Sequence, residues 1–249
     1  MISKNQLKEL CRYRQQKQCD EEQVFVVEGV KMCDEVLAAH WPVLAIAATA
    51  DWLDTHRSAT AEVVHEVSEA DLQRLSGMVT PNQVWMLLRR PPRQEWDGDS
   101  KGGLVLALDR IQNPGNLGTL LRTADWYGVR NILCSPDTVN CYNPKVVQAS
   151  MGSLLRTRLF YAPLAPMLQE HGRAGHPVLG AMLNGEDIRQ MPPFRQATPL
   201  LLIGNESRGL SPELSATVTH RVTIPNRGGT AESLNASVAA AILMDNLLR

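Results

Sequence analysis

Three polar clusters in this chain carry residue types that could act on one ligand. The most informative lies near the C-terminus, where Ile224-Pro225-Asn226-Arg227-Gly228-Gly229 leads into Glu232-Ser233-Leu234-Asn235-Ala236-Ser237. A tight Pro/Gly loop followed by small polar side chains at a helix start makes a pocket built largely from backbone. Such a pocket reads a ligand's shape and hydrogen-bonding edges without committing charge, whereas a metal or phosphate site would show several like ligands.

The second cluster, Asn113-Pro114-Gly115-Asn116-Leu117-Gly118, is followed by Arg122. Leu117, Leu120, Leu121 and Ala124 recur at helical spacing, so a helix is expected to open here with Asn116 as its N-cap. Arg122 falls one turn after Gly118, and helical side chains lean toward the N-terminus. With no side chain at Gly118 in the way, the guanidinium is expected to reach the helix N-terminus, where unpaired N–H groups favour an anion such as phosphate. The third cluster, Gly204-Asn205-Glu206-Ser207-Arg208-Gly209-Leu210, is a glycine-bounded turn with one carboxylate. Ser211-Pro212-Glu213 reads as the cap and first turn of the next helix.

Strands must position these clusters. Leu104-Val105-Leu106-Ala107-Leu108 precedes the second and Leu200-Leu201-Leu202-Ile203 the third, and both have the length and apolarity of buried strands. Strand, polar loop and helix recur three times, which is the pattern of an α/β sheet whose ligands sit beyond the strand exits.

On these residues the chain resembles the SpoU (TrmH) branch of the SPOUT RNA methyltransferases, which move a methyl group from S-adenosylmethionine to a ribose 2′-hydroxyl of RNA. The resemblance spans essentially the whole chain and rests on three motifs in the right order. It implies catalytic roles for Arg122, Asn116, Glu206, Ser233 and Asn235. It further implies that Ile203, Gly204, Asn205, Ile224, Pro225 and Leu234 line the S-adenosylmethionine site. The fold it implies is α/β, a parallel sheet flanked by helices and tied into a trefoil knot. Two departures fall in one loop: Asn226 stands where the family usually has methionine, and Gly228-Gly229-Thr230 is longer by a residue. Family members pair through the knotted domain, which implies a homodimer with its interface near the last helix, where Ala236, Ala239, Ala240 and Ala241 would permit close approach.

A chain of 249 residues suits one large or two modest domains. Its net charge of −1 cannot hold RNA in bulk, so any basic surface must be local. The candidate is the N-terminal segment, where Lys4, Lys8, Arg12, Arg14 and Lys17 outnumber Glu9. Ser3 with Gln6 resembles a capping box there, with Leu7 and Leu10 facing inward. Lys8, Arg12 and Arg14 are the expected RNA contacts, and a merely solvated helix face is the alternative.

Strands are expected at Val24 to Glu28, stopped by Gly29, and at Val43 to Ala48, Glu62 to Val67 and Val84 to Leu88, with helices at Val30 to Ala39 and Ser68 to Leu75. This alternation resembles the small substrate-binding domain of ribosomal RNA members of the family. Residues 1–91 are therefore expected to form an RNA substrate-binding α/β domain, 92–103 a linker and 104–249 the methyltransferase domain. No apolar stretch is long enough to span a bilayer and Met1-Ile2-Ser3-Lys4 lacks a signal pattern, so a cytoplasmic protein is expected. Five cysteines without a Cys-x-x-Cys pair read as reduced, mostly buried thiols, and no metal site is expected. His171 and His176 flank a glycine-containing turn and read as loop residues.

Each cluster has a bland alternative. Asn-Pro-Gly-Asn can be only a turn. Glu206 can pair with Arg208. Ser233 and Asn235 can be caps of a final helix whose Leu234, Val238, Ala241 and Ile242 form an apolar stripe. Other functional classes are a non-catalytic RNA-binding relative, a phosphate-loop enzyme using residues 113–118, and a transfer RNA or base methyltransferase of the same superfamily. The second lacks both phosphate-loop and dinucleotide glycine signatures.

Overall fold

The computed structural model describes residues 2–80, 82–98, 103–192, 194 and 197–248. Residues 99–102 of the expected linker lie outside the described residues. The contacts divide the chain into two compact units, Met1–Pro92 with Tyr142–Leu155, and Arg93–Cys141 with Arg156–Arg249. Residues 142–155 thus group with the first unit although they lie inside the sequence of the second.

In the first unit α1 (Lys4–Cys11) opens on a reciprocal cap. Ser3 Oγ accepts from the Gln6 N–H at 3.3 Å while the Gln6 side chain accepts from the Ser3 N–H at 2.9 Å. Leu7 and Leu10 of this helix are buried. There follow α2 (Gln16–Glu21), β1 (Val24–Glu28), α3 (Val30–Ala38), β2 (Val43–Ala48), α4 (Ala50–Thr55), β3 (Val63–Glu66), α5 (Glu69–Leu75) and β4 (Val84–Arg89). The strands form a mixed four-stranded sheet in the order β1-β4-β2-β3. Central β4 is buried from Val84 to Leu88, so it is apolar throughout rather than alternating.

The second unit begins with β5 (Val105–Leu108), α6 (Pro114–Trp126) and β6 (Asn131–Cys134). The chain then contributes α7 (Pro144–Ser150) to the first unit. It returns as β7 (Arg158–Tyr161), α8 (Leu164–Arg173), β8 (Val178–Asp187), β9 (Leu200–Ile203), α9 (Pro212–Ser215), β10 (His220–Thr223) and α10 (Ala236–Leu247). These strands make an all-parallel six-stranded sheet ordered β10-β8-β9-β5-β6-β7. β5 and β9 are adjacent, fully buried and apolar at every position. The chain runs outward from β5 in one direction and reaches β9 from the other, so the strand order reverses between them, where open parallel sheets bind ligands.

Three local expectations change. The N-cap of α6 is Asn113, whose Oδ1 accepts from the N–H groups of Gly115 at 2.8 Å and Asn116 at 3.2 Å, with Pro114 in the first helical position. Eight residues, about 12 Å of rise, therefore separate Pro114 from Arg122, which removes the arginine from the helix N-terminus. α9 is a four-residue turn in which Ser211 makes no side-chain cap; its backbone N–H donates to Asp109 Oδ2. His171 sits in the last turn of α8, buried, with Nε2 against the Thr198 carbonyl at 2.9 Å.

Candidate active site

Three strand exits bring their polar residues together around Asn116. Its Nδ2 donates to Glu206 Oε1, and its Oδ1 accepts from Asn235 Nδ2 at 2.9 Å. Its backbone carbonyl accepts from Ser237 Oγ at 3.1 Å. A carboxylate only accepts, so the amide orientation of Asn116 is fixed by Glu206, and that of Asn235 follows from it. The Asn235 Oδ1 in turn accepts from the Ser237 N–H at 2.9 Å, which makes Asn235 the N-cap of α10. Donors thus run in one sense from α10 through two amides to a single carboxylate, an arrangement in which each bond polarises the next. Glu206 Oε2 has no hydrogen bond among the described residues. One oxygen is anchored and the other is open.

The cluster joins Asn116, Glu206 and Asn235, but neither Arg122 nor Ser233. Arg122 is exposed and makes no hydrogen bond or ion pair among the described residues. It follows Asn116 by six helical residues, roughly 240° around α6, so it faces another way. Ser233 is exposed and unbonded among the described residues; the serine of the network is Ser237, 3% exposed. Two signals could have located these roles. Proline prefers the first helical position, which makes Asn113 the cap, and an N-cap Asn reaches two residues on, which selects Ser237. Glu206 makes no ion pair with Arg208, against the bland alternative for that residue.

Backbone rather than charge lines the strand tips. β8 lies between β9 and β10; its pairing with β9 ends at Gly180, opposite Leu202, while past an irregularity it continues beside β10 to Asp187, opposite Thr223. The backbone N–H and C=O groups of Gly204, Ile224 and Leu234 have no partner among the described residues, and Gly204 and Ile224 are half-buried. Open, partly desolvated donors and acceptors suit the hydrogen-bonding edge of a nucleoside such as that of S-adenosylmethionine, with Ile203 and Pro225 beside them. Gly204 is required there: a Cβ would come within 2.5 Å of the Gly209 backbone. Asn205 departs from the expected set, since its N–H and carbonyl bond Gly209 and its side chain bonds Arg110, Ser207 and Arg208. These bonds shape the loop.

Asn226 explains both departures in the last loop. Its Oδ1 accepts from the N–H groups of Gly228 at 2.9 Å and Gly229 at 2.8 Å, and its Nδ2 donates to the carbonyls of Gly229 at 3.0 Å and Ala231 at 3.3 Å. The longer loop is folded on this amide, which a methionine could not supply.

On the first unit the basic residues are partly spoken for. Arg12 pairs with Glu9 at 2.7 Å and Glu22 at 3.7 Å, Lys17 with Glu21 at 3.8 Å, and Arg14 donates to the Arg74 carbonyl at 3.1 Å. Lys8 is exposed and unpaired among the described residues.

Known proteins resemble both parts of the chain. Residues 103–245 match the SpoU rRNA Methylase family and residues 4–85 the MRM3-like substrate binding domain. The 23S rRNA (guanosine(2553)-2′-O)-methyltransferase RlmP of Bacillus subtilis (strain 168) is 28% identical over 247 residues, 98% of this chain and 97% of its own length. A TrmH-family protein from Porphyromonas gingivalis has a solved structure that matches with a TM-score of 0.88 at 37% identity, covering 99% of this chain and 98% of that one. The AdoMet-bound rRNA methyltransferase from Sinorhizobium meliloti matches with a TM-score of 0.85 at 26% identity, covering 99% and 96%.

Proposed function

The chain belongs to the SpoU rRNA methylase family of S-adenosylmethionine-dependent RNA 2′-O-ribose methyltransferases, and from that premise we propose that its substrate is a ribose of large-subunit ribosomal RNA. The observation that carries the site is the one-way chain of amides ending on Glu206, with one carboxylate oxygen open. Support for ribosomal RNA comes from the MRM3-like substrate binding domain and from the 23S rRNA activity of the B. subtilis relative.

S-adenosylmethionine, when bound, supplies a methyl group already activated on a sulfonium sulfur. The chain's own residues have to align a ribose oxygen with it and make that oxygen more nucleophilic. The open oxygen of Glu206 accepts a hydrogen bond from the 2′-hydroxyl and draws its proton away, while Asn116 and Asn235 hold the carboxylate in place. Ser233, exposed beside them in sequence, orients the sugar. Arg122 clamps an RNA phosphate, and its field favours the developing alkoxide. An arginine with a pKa above about 12 is a poor base near neutrality, so proton removal is not its task.

Arg122 faces away from the cluster of its own chain, which favours a homodimer in which a second copy supplies it. Trp126, one turn after Arg122, is 85% exposed, and Leu234, Val238 and Ile242 form an exposed apolar row running from just before α10 to its middle. α6 and α10 pack together, with Tyr127 Oη donating to Asp245 at 3.0 Å, so these residues belong to neighbouring elements. Of the four alanines expected near the interface, Ala236 and Ala240 are buried within the chain itself, while Ala239 and Ala241 are partly exposed. The trefoil knot belongs to the same proposal, with the loops after β9 and β10 as its crossings.

The test is methyl transfer from labelled S-adenosylmethionine to undermethylated total RNA. Label is expected in alkali-resistant linkages of large-subunit RNA. Label in bases or in transfer RNA would overturn the substrate assignment.

A further inference from the structure

The loop that carries Glu206 is gripped from the exit of β5 by two residues that the mechanism above does not use. Asp109 is 2% exposed. Its Oδ2 accepts from the Ser211 N–H at 2.6 Å, and its two oxygens accept from Arg110 Nε at 3.1 Å and Nη2 at 3.3 Å. A buried carboxylate is costly unless its lone pairs are filled, and this one is filled by its sequence neighbour and by the far end of the Glu206 loop.

Arg110 has φ 56°, in the left-handed region that residues other than glycine seldom occupy. Its N–H donates to Ser135 Oγ at 2.8 Å, which holds that conformation. The consequence is directional. The Arg110 carbonyl accepts from Asn205 Nδ2 at 2.9 Å, and its Nη2 donates to the Gly209 carbonyl at 3.3 Å. Asn205 and Gly209 are the two ends of the loop, bonded to each other at 3.1 and 2.9 Å. One residue therefore holds both ends, and Asp109 holds the chain two residues past the second.

We propose that Asp109 and Arg110 are positioning residues that set the Glu206 carboxylate against Asn116 before RNA arrives. The loop's tip is exposed and tied to the cluster by a single side-chain bond. Without a fixed base, Glu206 would have to be ordered in each catalytic cycle, and catalytic electrostatics lose strength when the groups must reorganise. This proposal rests on the reading that Glu206 faces the 2′-hydroxyl.

The experiment compares Arg110→Gly, Arg110→Lys, Glu206→Gln and the Arg110→Gly/Glu206→Gln double variant in the full-length protein. Single-turnover methyl transfer at saturating S-adenosylmethionine and RNA is measured beside cofactor affinity by calorimetry. Glycine keeps the left-handed backbone and the carbonyl bond to Asn205 but removes the guanidinium. Arg110→Gly is expected to slow transfer roughly ten- to a hundredfold, with cofactor affinity held within about threefold. Arg110→Lys, which keeps the charge but not the fork, should recover only part of the rate. In the Glu206→Gln background the same glycine change should cost little more, because both changes disable one unit. Equal losses in both backgrounds would show that Arg110 acts elsewhere and overturn the positioning proposal alone. A normal rate per folded molecule in both Arg110 variants would make the pair merely structural and overturn it as well. Should Glu206→Gln turn over as fast as the parent, the role assigned to Glu206 falls too, which separates the two failures.

Discussion

Polar side chains at the carboxyl edge of the parallel sheet and most of the basic side chains of the N-terminal segment differ in how far along the chain their partners lie. Asn116 bonds Glu206 and Asn235, 90 and 119 residues away in sequence. Arg12 bonds Glu9 three residues away and Lys17 lies four from Glu21, with Arg14, which donates to the Arg74 carbonyl 60 residues away, as the exception. Local pairs on an exposed helix contribute a few tenths of a kcal/mol and would form in almost any helix. Bonds spanning that much chain exist only because the whole sheet places their members, so they mark where the fold itself builds an arrangement. Charge on a surface is the weaker sign of a site; convergence of distant amides is the stronger one.

The sharpest way to break that comparison is Asn116→Ala, which severs both long-range side-chain bonds. Transfer should fall about 10²- to 10³-fold, as on loss of a preorganised donor, measured as single-turnover rate. If the variant kept most of its rate, convergence would carry no functional weight. Arg122 sharpens the contrast from the other side, because it has no intrachain side-chain partner among the described residues yet is assigned the phosphate. Arg122→Lys should lose nearly as much as Arg122→Ala, at least about tenfold in kcat/KM, since a point charge lacks the planar fork. Near-normal turnover in the lysine variant would remove the clamp.

The basic helix should yield a smaller effect. Each phosphate contact contributes roughly 0.7 to the slope of log affinity against log salt for single-stranded RNA. Lys8→Gln is expected to flatten that slope more than Arg12→Gln, because Arg12 is already held by Glu9 and Glu22. If all three substitutions at Lys8, Arg12 and Arg14 left the slope unchanged, the helix would serve only the packing of Leu7 and Leu10.

The sequence made much of this legible, for reasons that also explain the gaps. β2 is an apolar run with a proline before it, and α1 carries its own reciprocal cap, so the start of each could be read locally. The order of the three motifs was equally plain. Strand order was not: β8 enters between β9 and β10, and no periodicity records which neighbour a strand will find. For the same reason the partnership of Asn116 with Glu206, and the grip of Arg110 on Asn205, had no local signal. α10 shows a different limit. Leu234, Val238 and Ile242 have the spacing of a core stripe but are 47%, 48% and 37% exposed, while Ala240 is fully buried. Apolar spacing says that a face will be covered, not by which molecule.

The comparison between the two units extends to their histidines, with the smallest expected effect. His171 in the second unit is buried, and burial, aided by nearby His176, pushes its pKa below the usual 6.5 despite the bond to the Thr198 carbonyl. His65 in the first unit is also shifted down by burial but is only half-buried. A histidine depressed in the folded state binds fewer protons there than in the unfolded chain, so stability rises with pH across the interval between the two values. Stability should therefore fall as pH drops from about 7 to about 5, read as the midpoint of urea unfolding. Carboxylates contribute to the same fall, so the informative quantity is the difference between variants. His171→Gln should flatten the dependence more than His65→Gln, because the deeper imidazole gives up more hydration on becoming charged. Equal flattening would mean that burial is not what separates the two sites.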